Sequence, residues 1–521
     1  GEETYVDTLV LDTGRTEPVG ARPNALSFEL HGEYEVRYRA MSDLPLTPPA
    51  SAPGATTLGQ NQYLYHWLRL TPAIHYRDKL SVVGQIDVPR GLVVGDTTQY
   101  ATAAREPLDE QKPFRVEPRY LYIEYLSSIG MLRVGQQGSH WGMGILANDG
   151  DHPPLFGDYV GGSLVDRVLF ATTPMGKGTP LAIAVAADMV FQDPTAHVLP
   201  DETGASDRAF QGVVAALWRT KPAEIGVYGV LRHQERDEQA AGAFTPFVDS
   251  LTVGVVDVAG KFHAPIAGSR AFLYGEMEAA AIFGSTDFLR DTYAEQSDPT
   301  GKRVDERVGS YGGAATLGAV RVAGSGDERW GSVVGEIELG YASGDADPYD
   351  GDSKRFTFDP NHTVGLVLFR QVLAWKTARA ATNASDPNLV ARAAPGIQLL
   401  PSNGGVFGAA YLNPRAVFRP RRWVDLKIGA VIAQTTSDFV DPYHFGALGS
   451  AKNYDGGDPR KHDLGLELDG GFDVRIPADR HTTVQLGAEG GVLFPGHAFD
   501  DAAGHALPDQ LLLNTKAGIQ F

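Results

Sequence analysis

The 521-residue chain is predicted to be all-β, a single transmembrane antiparallel β-barrel, and three observations predict it. Segments of alternating apolar and polar residues recur from about residue 26 to the last, short turns alternate with long loops between them, and the final segment LLLNTKAGIQF is amphipathic and ends on an aromatic. A strand turns successive side chains to opposite faces. Between Lys461 and Pro477 this puts Asp463, Gly465, Glu467, Asp469, Gly471, Asp473 and Arg475 on one face, and Leu464, Leu466, Leu468, Phe472, Val474 and Ile476 on the other. In a soluble sandwich the apolar face packs on a second sheet; in an outer-membrane barrel it meets lipid, and the polar face lines water.

Composition separates the two. A chain this long exceeds one ordinary soluble core, yet no linker rich in Pro, Ser or charge divides it. The 61 glycines and 43% hydrophobic content suit a β protein with many turns. A mean hydropathy of -0.18 is compatible with membrane insertion, because a barrel shows lipid only alternate residues of its strands. The formal charge of -19 lacks the basic footprint that nucleic acid requires. Cysteine is absent, which excludes disulfides, thiolate metal sites and a Cys nucleophile. No run reaches the roughly 20 apolar residues of a spanning helix; LAIAVAADMVF reads as a strand. The opening GEETYVD has neither a basic nor an apolar leader region, so a signal peptide is expected to have been removed.

Taken in order, the period-2 segments predict strands near 26–40, 62–76, 79–90, 116–127, 130–136, 164–173, 180–192, 209–219, 223–234, 250–263, 269–283, 310–322, 329–343, 404–419, 422–436, 461–476, 481–495 and 510–521. That is about 18 strands, an even number as in single-chain bacterial barrels. Short turns at 77–79, 127–130, 221–222, 420–421 and 478–480 alternate with long segments at 41–61, 91–115, 137–163, 284–309 and 344–403. Short periplasmic turns and long extracellular loops segregate in this way in outer-membrane barrels, with both termini in the periplasm. Residues 1–25 are expected to form a periplasmic tail or plug element, and 26–521 the barrel. The run TVGLVLFRQVLAWKTARAAT, 363–382, has apolar residues at helical as well as strand spacing; as a helix inside the extracellular loop 344–403 it keeps the count even.

Phase also assigns the lumen. Glu29, His31, Glu33, Glu35, Arg37 and Arg39 of the first strand fall inside, beside Lys516 and Gln520 of the last. So do the bases Arg69, Arg133, Arg232, Arg415 and Lys427, and the acids Glu276, Glu278, Glu336, Glu338, Glu467, Asp469 and Glu489. Asp87, Glu124, Asp188 and Asp257 join the wall. These charges read either as a solvated wall of cross-strand pairs or as opposed rows that orient a polar solute.

Other constellations are weaker. Asp345, Asp347, Asp350 and Asp352 are hard oxygen ligands at short spacing and mark a possible Ca2+ loop, although the spacing is not that of an EF-hand. Ser139, His140 and Asp149 have the residue types of a nucleophile relay, but adjacent residues on a strand point apart and no G-x-S-x-G elbow is present. Trp67, Trp141 and Trp218 read as interface or rim aromatics.

Tyr341, Ser343, Gly344 and Asp345, followed by an Asp-rich stretch and then Phe358, Asp359, Pro360, Asn361 and His362, resemble the loop motif of the alginate-export family of outer-membrane barrels. The stretch from Arg133 to His152 is similar to a porin-like strand and loop of the same barrels. The resemblance implies an 18-stranded monomer that passes or exports a polysaccharide or other polar solute across the bacterial outer membrane. The expectation is therefore a channel in outer-membrane lipid and lipopolysaccharide, without catalytic residues, nucleic acid or cofactor beyond the possible Ca2+. A periplasmic export partner, a structural or adhesive barrel with a blocked pore, and an outer-membrane hydrolase remain as alternatives.

Overall fold

The computed structural model describes residues 19–21, 25–47, 56–96, 116–158, 161–176, 178–198, 206–238, 247–287, 306–322, 331–348, 350–385 and 400–521. Among them, eighteen long strands hydrogen-bond in chain order. They are β1 Leu26–Met41, β2 Gln62–Tyr76, β3 Leu80–Gly95, β4 Glu117–Leu126, β5 Met131–Gly138, β6 Leu164–Thr172, β7 Leu181–Gln192, β8 Ser206–Arg219 and β9 Ala223–Glu238. They continue as β10 Phe247–Pro265, β11 Ala271–Thr286, β12 Glu306–Arg321, β13 Ser332–Ala342, β14 Ala409–Arg421, β15 Val424–Thr435, β16 Asp463–Pro477, β17 Thr483–Pro495 and β18 Gln510–Gln520. β1 pairs antiparallel with both β2 and β18, so the sheet closes and no edge is left open.

At the seam, the backbones of Gly32 and Phe521 exchange hydrogen bonds of 2.7 and 2.8 Å. Below it, the short segment Val19–Ala21 continues along the same edge of β1, opposite Phe28–Leu30. The remaining residues of the expected N-terminal element, apart from Ala25, lie outside the described residues.

The outer face is apolar. Leu121, Leu231, Leu317 and Ile428 are each at least 60% exposed, a cost in water that lipid removes. Outward aromatics gather at two levels. Tyr76, Tyr125, Trp218, Phe262 and Trp423 lie near the short turns, and Phe210, Phe283, Tyr311, Tyr341 and Phe494 near the long loops. Such paired girdles sit at the two membrane interfaces. The architecture is that of a bacterial outer-membrane barrel.

Three local expectations are corrected. The strand expected from 404 begins at Ala409, because Gly404 and Gly408 take positive φ and lead the chain over the mouth. The clean alternation of 463–476 fails at its start: a register shift opposite Ala433/Gln434 and a φ of 105° at Gly465 form a bulge, which turns Leu464 into the apolar core while Asp463 is exposed. Trp67 and Trp141 belong to the interior, as described below; Trp218 alone of the three faces outward near a short turn.

The long-loop end is packed with its own apolar core. Residues 350–385 turn inward as a plug, through a π-helical turn, Leu368–Leu373, and a helix α1, Ala374–Ser385. Leu366, Phe369, Leu373 and Trp375 bury against Phe407 of the same connection and against Leu44, Leu58, Ile145, Phe156, Phe439 and Phe499 from other loops. Burying roughly ten such side chains at about 1.5–3 kcal/mol each is what holds this assembly in the mouth.

Candidate functional site

The interior is organised by the loop that follows β5, whose described residues 139–158 cross the lumen. Its near half reaches β9–β11: Trp141 stacks on Tyr228 at 5.2 Å and donates to Asp257 at 3.2 Å, and the Ile145 amide donates to Glu278 at 3.3 Å. Its far half reaches the opposite wall. The Gly157 amide donates to Glu489 of β17 at 3.0 Å, and Lys427 of β15 donates to the Leu155 carbonyl at 2.7 Å. Gly142 suits this approach, because its φ is 57° and a Cβ there would lie 2.8 Å from the Ala259 Cβ.

β1 and β2 supply a basic and aromatic ladder on that wall. The register places Arg39 opposite Tyr63 and Arg37 opposite Tyr65, all inward. Trp67 is buried between the guanidinium groups of Arg37, 4.7 Å away, and Arg69, 4.6 Å away, a cation–π arrangement rather than a rim aromatic. Arg39 donates to Tyr63 and to Asn514, each at 2.8 Å. Arg37 pairs with Glu35 and also with Asp158 of the crossing loop, at 3.1 Å. Burial alone would raise the Asp158 carboxyl, but Arg37, helped by Lys516 and Arg39, holds it down at about 2.

Between the loop segment 151–158 and the wall formed by β15–β18 and β1 lies a cavity of about 280 Å³. Arg37, Arg39, Lys427, Arg475 and Lys516 line it, with Glu33, Glu35, Asp151, Asp158, Asp425, Asp473 and Glu489. Most of these charges are paired across it. Lys427 lies 2.9 Å from Asp473 and 3.6 Å from Glu489, and Lys516 lies 3.6 Å from Asp473. The cavity thus carries both signs at close range.

Other inward charges tie the wall together. Arg69 makes two bonds to Asp87, 2.7 and 2.9 Å, and one of 2.6 Å to Asp151. Arg167 likewise clamps Asp188, Arg133 pairs with Glu124, and Arg232 with Asp193 at 2.5 Å. Arg415 joins Glu336 at 2.7 Å and Glu338 at 3.0 Å. Glu276 faces inward and is exposed. Glu467 is turned to the plug, accepting from the amides of Leu366, Val367 and Leu368, with buried Asp469 beside it.

The two segments that carry the family resemblance meet each other. The Asp359 amide donates to the Ile145 carbonyl at 2.8 Å, His362 Nδ1 lies 3.1 Å from the Met143 carbonyl, and His362 Nε2 lies 3.1 Å from Glu338. The motif residues therefore lock the plug to the crossing loop and the wall. Burial pushes the Asp359 carboxyl up to about 7, with the amide and side chain of Asn361 opposing.

The acidic loop makes its own contacts. Asp345 spends its oxygens on the amides of Asp347 and Lys354, and Asp352 faces Arg307 at 2.7 Å and Lys354 at 3.6 Å. Among the described residues these four carboxylates do not converge as a metal-sized group. Ser139 accepts from Arg167 at 3.1 Å, and the buried His140 Nδ1 has no hydrogen-bond partner, so Ser139 is not bonded to that nitrogen.

Period-2 reading misses Arg119, fully buried and bonded to Gln85 at 2.7 Å: a register shift between Gln85 and Ile86 leaves it as an extra, bulged residue of β4, so it points inward although it lies off the phase of Tyr122 and Glu124. Asp151 and Asp158 carried no sequence signal beyond lying in an acidic loop.

No family model and no curated protein matches this sequence. Among solved structures, the chain is similar to OccK5 (OpdH) of Pseudomonas aeruginosa, with 10% identity over 95% of this chain and 98% of that one and a TM-score of 0.45. It is similar also to the outer-membrane channel DcaP of Acinetobacter baumannii, at 11% identity, 96% and 100% coverage and a TM-score of 0.39. A third is OpdK of Pseudomonas aeruginosa, solved with vanillate, at 9% identity, 94% and 99% coverage and a TM-score of 0.44.

Proposed function

We propose that the protein is a passive outer-membrane channel for a polar solute, in which the loop 139–163 sets the constriction and the charges of β1, β15, β16 and β17 select the solute. The observation that carries this is the charged cavity of about 280 Å³ between that loop and the wall. A cavity of that size lined by paired Arg, Lys, Asp and Glu suits a solute of a few polar groups that exchanges one ion pair for another as it passes. No step of bond making is required for such passage.

Alginate-type export of a polymer is the finer reading suggested by the motif between Tyr341 and His362. A continuous chain would need the helical plug to leave the mouth, where its residues 366–381 are fully buried. That burial favours, as a second reading, a barrel that rests closed. Single-channel recording in planar bilayers, with and without neutral and uronic oligosaccharides, tests both. Steady conductance blocked by a small oligosaccharide supports the solute channel; a silent bilayer refutes it in favour of the closed barrel.

A further inference from the structure

The base of the crossing loop holds a cluster that the channel reading does not use. The loop folds back as a hairpin: the Trp141 amide donates to Ala147 at 3.1 Å, and the Ser163 amide to Asn148 at 2.7 Å. This brings His140, Asp149 and His152 together, with one nitrogen or oxygen from each lying within 4.8 Å of the others. The two imidazoles stack at 4.0 Å, and their Nδ1 atoms lie 3.9 Å (His140) and 3.1 Å (His152) from the same Asp149 oxygen.

The scaffold around Asp149 is built for this position. Arg119, fully buried, donates to the Asp149 carbonyl at 2.5 Å, and the Asp151 amide donates to its carboxylate at 3.0 Å. Gly138 allows the approach, since a Cβ there would come within 2.5 Å of the Asp149 Cβ. His140 Nδ1 is buried and has no hydrogen-bond partner. A buried ring nitrogen aimed at a carboxylate yet unbonded is an arrangement that a bridging cation would complete.

We propose that His140, Asp149 and His152 bind a divalent transition metal of the Zn2+ class, inside the lumen and at the root of the loop that constricts it. Two imidazoles and one carboxylate suit a borderline cation and are a poor cage for Ca2+ or Mg2+, which take oxygen ligands. Bonds of about 2.0–2.2 Å to a tetrahedral ion place ligand atoms roughly 3.3 Å apart, between the two distances found here. His152 is the exposed member, so the remaining coordination position opens to the lumen.

The test is titration of the purified, tag-free full chain in detergent with Co2+, followed by its visible absorption. One Co2+ per chain is expected, displaced by Zn2+ and not by excess Mg2+. His140→Ala and His152→Ala should each weaken binding more than about tenfold, whereas His505→Ala, which removes an exposed loop imidazole, should not. Because His152 is exposed, His152→Ala keeps the barrel, which heat-modifiable gel mobility verifies. Absence of the band in the unaltered protein, or binding unchanged in both His140→Ala and His152→Ala, overturns the site.

Discussion

Arg37 of β1 and Asp158 of the crossing loop meet at 3.1 Å inside the barrel, and Tyr65 donates to the same carboxylate at 2.9 Å. A loop held by a buried ion pair is an adjustable constriction: its position depends on a charge that substitution removes. Stripping one partner from a buried pair costs about 3–5 kcal/mol. Asp158→Asn is therefore expected to release the far half of the loop and raise single-channel conductance. Conductance equal to that of the parent protein would show that the pair does not set the constriction.

Arg37→Ala together with Arg39→Ala removes the basic half of the ladder while leaving Glu33, Glu35, Asp473 and Glu489 at the cavity. The reversal potential in a salt gradient should shift toward cation preference. An unchanged potential would remove these residues from the conducting path.

Glu467 accepts from three successive amides, including Val367 and Leu368 at 2.7 Å each, at the start of the helical plug. Glu467→Ala leaves those buried donors without a partner, at roughly 1–3 kcal/mol apiece. Limited proteolysis should then cut between 343 and 408 faster than in the parent, with the strands protected. Equal cleavage rates would mean that the apolar packing alone retains the plug.

The plug latch should weaken as pH rises. Burial alone would lower the His362 imidazole from 6.5, but the Glu338 carboxylate raises it, with Arg415 opposing. A raised His contributes stability fully below pH 6.5 and loses it as pH passes the folded value. Asp359 has the same sign: its carboxyl rises from 3.8 to about 7, so the folded state holds the extra proton and anchoring falls across that window. Asp158, held at about 2, stays ionised throughout. Proteolysis at the plug should therefore be slower at pH 5 than at pH 8, and His362→Gln with Asp359→Asn should flatten the difference.

The barrel seam offers a stability test. A Cβ at Gly32 would lie 2.2 Å from the Phe521 ring. Gly32→Val should lower the temperature at which the folded band is lost on gels, and Phe521→Ala should relieve most of that loss, a coupling that a double-mutant cycle measures.

The eighteen strands, their inward phase and the alternation of short turns with long loops were legible in the sequence, because a pleated strand in lipid must alternate at every position. Even there, the bulges at Gly465 and Arg119 escaped, since one inserted residue shifts phase without altering composition. What only the tertiary structure decided is which loops enter the barrel and what they touch. Asp158 finds Arg37, Gly157 finds Glu489, and Asp359 finds Ile145 because distant segments are brought together once the sheet has closed. Loop docking depends on charges and shapes contributed by many strands at once, and no local period records it.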